Sequence, residues 1–142
     1  MIKNLARFFA LPFLLFCFHL VLSALDVYKR YHWADIPMHV LGGVFITYSF
    51  SLTLTYFQKR KILSEMNVLS KSIFLFALTS TAAVFWELGE FTLDFFFSTR
   101  AQASLEDTML DMFLGLVGGA ALIVFLARGD IKEYIKKDKT PR

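Results

Sequence analysis

Four long apolar runs, residues 8–25, 36–57, 72–97 and 109–127, constrain this chain more tightly than any other feature. Each has 18 residues or more and, coiled as a helix, reaches across a hydrocarbon core of about 30 Å. Lipid offers backbone amides no hydrogen-bonding partner, so such segments must satisfy themselves internally as helices. The expected fold class is therefore all-α: a four-helix polytopic membrane bundle forming one integral membrane domain over residues 1–142. With 56% hydrophobic residues and 17 phenylalanines in 142 positions, nothing is left over for a second domain.

Charge collects in the short segments between the runs, and its distribution predicts an orientation. Of 15 Lys and Arg residues, 12 fall before the first run, between the second and third, or after the fourth, leaving Lys29, Arg30 and Arg100 on the other side. The positive-inside rule then places both termini in the cytoplasm, N-in and C-in. The net charge of +3 is thus a matter of topology and of contact with anionic membrane lipids, and no nucleic acid is expected as a partner. The lone cysteine, Cys17, lies inside the first run and reads as an apolar filler.

Against this apolar background three carboxylates stand out. At 100° per residue, Glu87, Glu90 and Asp94 share one narrow stripe of the third helix, and Ser80 and Ala83 continue it with small side chains. A carboxylate at bilayer depth costs several kcal/mol unless it is paired, protonated, metal-bound or wetted, so the stripe marks a candidate site.

The remaining segments supply its neighbours. The start, MIKNLARFFALPFLLFCFHLVLSAL, has the order of a signal peptide, but its apolar run is long enough to be an uncleaved first span. Pro12 is expected to kink that span, and His19 to be a neutral imidazole bonded to a neighbouring helix. Tyr28, Tyr31 and Trp33 suit the membrane interface. Asp35 reads as a cap of the second helix, with Pro37 in its first turn and His39 one turn inside the outer surface. Gly42 and Gly43 permit another helix to approach closely. Between the second and third spans, Ser64 is the expected cap of a brief surface helix, and Ser70 or Ser72 that of the third span.

Asp107 reads as the N-cap of the fourth helix, and Asp111, four residues on, projects from the same face at the depth of His39. Gly115, Gly118 and Gly119 include a G-x-x-x-G pair, a helix-packing signal that also suits a homo-oligomer joined through glycine-rich faces. The second and fourth helices both begin Asp-x-x-x-(His or Asp) and carry a glycine eight residues after the first Asp, at Gly43 and Gly115. A duplicated two-helix unit would place these helices in similar positions. The tail after Arg128 reads as a solvated basic end, helical for a turn or two.

Topology gathers Asp35, His39, Glu87, Glu90, Asp94, Asp107 and Asp111 into the outer half of the bundle. They cannot all be charged and unpaired, and three solutions compete. One is a divalent metal: an imidazole with several carboxylates suits zinc, manganese or iron, and the oxygen-rich remainder suits magnesium or calcium. Its candidate ligands are His39, Glu87, Glu90, Asp107, Asp111 and Asp35. Glu87 or Glu90, where it stays off the metal, would be the catalytic general base of a hydrolase or transferase working on head groups or lipid-linked sugars at the outer leaflet. The second is a proton or ion path of a transporter. The third is a structural network of protonated carboxyls, His39 and the hydroxyls of Thr92 and Thr108 in a non-catalytic membrane factor. Arg100 is a counter-ion in any of these.

Three segments, DIPMHVLGG (35–43), WELGE (86–90) and DTMLDMFLGLVGG (107–119), carry a resemblance. Their order and spacing resemble the YjdF-like family of small bacterial inner-membrane proteins and, at greater distance, VanZ-like proteins. The resemblance covers the last three spans and implies a multi-pass protein of the bacterial cytoplasmic membrane without an established activity. VanZ-like relatives are associated with glycopeptide resistance. It singles out Asp35, His39, Glu87, Glu90, Asp107 and Asp111, gives Asp94 no counterpart, and makes this chain shorter than many relatives, with spans missing before the first.

Overall fold

A computed structural model describes residues 6–99 and 101–138, with side chains to residue 132. Arg100, the expected counter-ion, lies outside the described residues, as do Lys3, Lys139 and Arg142 among the charges that set the predicted orientation. Every regular element among the described residues is helical. They are α1 (Ala10–Ala24), a single turn α2 (Val27–Arg30), a 3-10 turn (His32–Ala34), α3 (Asp35–Lys59), α4 (Val68–Phe97) and α5 (Leu105–Asp138).

Three helical segments, His32–Lys59, Val68–Phe97 and Leu105–Lys132, are long and apolar enough to cross a membrane. α1 is shorter, at 15 residues. The apolar run expected at 8–25 is broken at Phe9, so Pro12 falls in the first turn of α1 instead of kinking its middle. Proline lacks the N–H that would bond the carbonyl four residues back. That carbonyl, Phe8, accepts instead from the Ser49 hydroxyl of α3 at 2.7 Å, which ties the start of α1 to its neighbour.

Local chemistry corrects several expected helix ends. The Asn67 side chain caps α4 by accepting from the Ser70 N–H, so neither Ser70 nor Ser72 does. Ser64 begins no helix, and residues 64–67 run without regular structure into that cap. α3 is preceded by Ala34 with no side-chain cap, which makes Asp35 its first helical residue. Asp107 is not the cap of α5: its own N–H donates to the Ser104 hydroxyl, at 3.1 Å, and α5 begins at Leu105. At the other end α5 continues to Asp138, beyond the turn or two expected after Arg128.

The described interior is more polar than the surface. Thr47, Ser49, Thr79, Glu87 and Asp111 are buried, while Phe85 and Phe125 are 68% and 73% exposed. Lipid rather than water as solvent produces this inversion, because apolar side chains lose nothing by facing acyl chains.

α3, α4 and α5 form the core in register. At one end His39, Glu87 and Asp111 come together. One turn further along, Gly43 meets Gly115, whose Cα would place a Cβ 3.9 Å from Ala83 Cβ. In the next layer Thr47 and Thr79 share a 2.6 Å hydrogen bond beside Gly119. Leu54, Leu75 and Ile123 fill the far end, where Lys71 of α4 donates to Asp130 of α5 at 2.9 Å. The two glycines of the short repeat therefore face each other. A Cβ on Gly43 would overlap the Gly115 carbonyl, and one on Gly118 the Val40 carbonyl, so α3 and α5 touch backbone to backbone. The glycine faces from which the sequence suggests self-association are thus occupied within one chain.

Candidate functional site

The antiparallel register brings the first turns of α3 and α5 beside the last third of α4, which sets the site. Asp35 and His39 are one turn apart on α3, so both side chains project from one face. Their separation, His39 Nε2 to Asp35 Oδ1, is 3.4 Å. From α5, Asp111 brings Oδ1 to 3.6 Å from the same nitrogen. One atom from each residue lies within 4.8 Å of the others. Both contacts exceed the usual 2.7–3.2 Å of an N–H···O hydrogen bond. Neighbouring ligands of a tetrahedral ion with 2.0–2.1 Å bonds stand about 3.4 Å apart. The two imidazole–carboxylate separations approach that spacing, and an imidazole with two carboxylates is a donor set that divalent cations take.

Glu87 and Glu90 are buried close to this group but outside it. Gln102, in the loop after α4, donates from Nε2 to the Glu87 backbone carbonyl at 3.1 Å and to Glu87 Oε2 at 3.3 Å. Glu90 Oε1 accepts from the Trp86 indole N–H at 2.9 Å. Asp107 is half-buried in the first turn of α5 and stands outside the group of three. Asp94 does something different from the expected stripe: it organises the turn after α4, accepting from Thr99 Oγ1, from the Ala101 N–H at 2.6 Å and from the Gln102 N–H at 2.9 Å. That turn delivers Gln102 to Glu87. The inward line of α4 passes through Thr79, whereas Ser80 donates to its own helix at Phe76 O. Thr92 likewise bonds back to Leu88 O and takes no part in the cluster.

A cavity of about 160 Å³ opens from the cluster, with His39, Glu87 and Asp111 at its polar end and residues of all four long helices around it. Its roof is aromatic: His19 and Phe16 of α1 meet the Trp86 ring edge-on, with centroids 5.4 and 5.8 Å away. His19 Nδ1 pairs with the Tyr28 hydroxyl at 3.0 Å, the neighbouring helix being the single turn α2. Burial, with Asp35 and Glu90 nearby, pushes the Tyr28 phenol above its ordinary range, which keeps that O–H protonated. Tyr31 and Trp33 stay exposed.

The sequence missed Gln102, the Trp86–Glu90 pair and the Thr47–Thr79 pair. Only Thr47 and Thr79 carried a signal that was available: hydroxyls at four-residue steps from Gly43 and from Ala83 on facing helices.

Comparison with known proteins adds a family and no reaction. An uncharacterised protein of Thermotoga maritima is 34% identical over 95 residues, which is 66% of this chain and 47% of that protein. The chain thus spans about half the length of this relative. No solved structure matches. A family model described as a predicted membrane protein matches residues 3–130, a stretch that includes all three motifs and the whole cluster. The chain belongs to that family, DUF2238.

Proposed function

We propose that this protein is a metal-dependent hydrolase or transferase of the bacterial cytoplasmic membrane, acting on lipid or envelope substrates at the outer leaflet. In this reading it has affinity with the YjdF-like proteins. It crosses the membrane four times as one domain, α1 included, with both termini in the cytoplasm, so that the Asp35–His39–Asp111 end faces outward. The observation that carries the reading is the convergence of one imidazole nitrogen and two carboxylate oxygens within 4.8 Å at the polar end of a cavity that Glu87 also lines.

Asp35, His39 and Asp111 would hold the cation, whose chemistry would be to activate a water and polarise a phosphoryl or acyl oxygen. Glu87, held by Gln102 and outside the ligand group, would take the proton from the attacking water. Glu90 is tied to Trp86 and does not line the cavity, so it is given a positioning role. The apolar seal of Leu54, Leu75 and Ile123 supports a one-sided site over an ion path through the bundle.

A second reading has a specific observation in its favour. Among the described residues no buried side-chain nitrogen or oxygen lacks a partner, as a purely structural polar network requires. Metal analysis separates the two. Purified protein loaded with zinc, manganese, iron, magnesium or calcium retains about one ion per chain, as does Glu87→Gln, whereas His39→Ala and Asp111→Asn retain none. Absence of stoichiometric metal from the parent under every loading condition refutes the metal centre and leaves the network.

A further inference from the structure

Away from its polar end the cavity is a slot that metal chemistry does not use. Its walls there are Pro12, Leu15 and Phe16 of α1, Ile46 of α3 and Ala82 of α4. Apolar protein cavities of about 150 Å³ take up benzene, so the apolar part of this 160 Å³ cavity accommodates a short hydrocarbon segment of at most about six carbons.

Gly42 accounts for the space. A Cβ there would meet only Leu15 Cδ2, at 3.9 Å, which is ordinary contact, whereas one on Gly43 would collide with the α5 backbone. Helix packing therefore requires glycine at 43 and not at 42, and the missing side chain at 42 leaves the slot open. α1 packs mainly along α3 and meets α4 through ring edges at Trp86. Below that roof Pro12 and Leu15 of α1 and Ala82 and Ala83 of α4 stand on the two sides of the cavity.

We propose that the slot binds the hydrocarbon tail of a single-chain lipid with an oxyanion head, which enters sideways from the bilayer between α1 and α4. This rests on the metal reading for the head: three protein ligands leave room for a water and, when the site expands to five ligands, for an oxygen of the oxyanion beside it. The tail is selected by the width of the slot, and the head is carried to Glu87 and the cation.

The chain contains two tryptophans, so Trp33→Phe leaves Trp86, at the roof of the slot, as the sole reporter. The full-length variant in phosphatidylcholine nanodiscs is titrated with a fatty acid brominated at mid-chain, because bromine quenches indole on contact. Saturable quenching is expected. Adding Gly42→Leu fills the slot and weakens the apparent affinity by about tenfold or more, the loss expected when two or more methylenes are displaced. Quenching that rises linearly with probe and is unchanged by Gly42→Leu reports collision in bulk lipid and overturns the proposal. Metal content of the same samples keeps the two readings apart. A metal-free parent with saturable, Gly42-dependent quenching removes the metal centre and upholds the tail site. A metal-loaded parent with linear quenching overturns the tail site alone.

Discussion

Adding one methyl group at Gly43 tests whether backbone contact between α3 and α5 sets the geometry of the candidate site. A Cβ at Gly43 would stand 2.7 Å from the Gly115 carbonyl carbon and 3.0 Å from its Cα. Carbon atoms in contact settle at about 3.5–4.0 Å, so the helices must part by about 1 Å. His39 lies one turn from Gly43, and Asp111 one turn from Gly115, at the same crossing. The same displacement therefore carries the His39–Asp111 distance from 3.6 Å to about 4.6 Å. A cation with 2.0–2.1 Å bonds spans at most about 4.2 Å between two ligands, even in line, so one ligand is lost. Gly43→Ala should weaken metal binding by about 10- to 100-fold, the range measured for disturbed metal shells. It should also cost roughly 1–3 kcal/mol of stability through overpacking. Competition against a chromophoric chelator reads the affinity, and thermal unfolding in detergent reads the stability. Gly42→Ala, which meets open space and ordinary contact, is the matched control and should leave both within error. If Gly43→Ala binds metal as the parent does, the inference that this contact sets the site is wrong.

Two further outcomes follow from single contacts. Thr47→Val leaves the buried Thr79 hydroxyl without its 2.6 Å partner and should destabilise by about 1–2 kcal/mol, whereas the double variant with Thr79→Val should recover most of that loss. Thermal or denaturant unfolding of the four-member cycle reads the difference, and equal destabilisation of single and double variants would contradict the pairing. The raised Tyr28 phenol is neutral in the fold above the pH at which an ordinary tyrosine ionises, so its burial contributes stability below that pH and loses it as pH rises beyond. In a spectrophotometric titration Tyr28→Phe should delete the highest-pH tyrosine step and leave the others in place.

Much of this was legible in the sequence because lipid imposes simple rules. Run length and hydropathy give the three long helices, and helical periodicity puts Glu87 and Glu90 inside. The short repeat points to Gly43 and Gly115 as equivalent positions. What it could not yield was which acids meet. Asp35, His39 and Asp111 converge because a backbone contact fixes the register of α3 against α5, and a register of that kind is invisible in either helix alone. Asp94 shares the helical angle of Glu87 and Glu90, yet it sits where the chain turns, and backbone amides of residues 101 and 102 claim it first. Helix ends failed for the same reason: Ser104 and Asn67 compete with nearby Asp and Ser residues, and only the path of the loop decides among them.

The layer of Leu54, Leu75 and Ile123 has an electrical corollary. Moving one elementary charge through the whole of a 100 mV membrane potential is worth about 2.3 kcal/mol, but only in proportion to the fraction of the field crossed. Ionisable groups of the cluster sit at one end of the bundle, and this hydrocarbon layer occupies the other. In the proposed reaction, protons exchanged at Glu87 would therefore enter and leave by the same face and cross little of the voltage drop. The proposed chemistry would run on the same footing in an energised and a de-energised membrane.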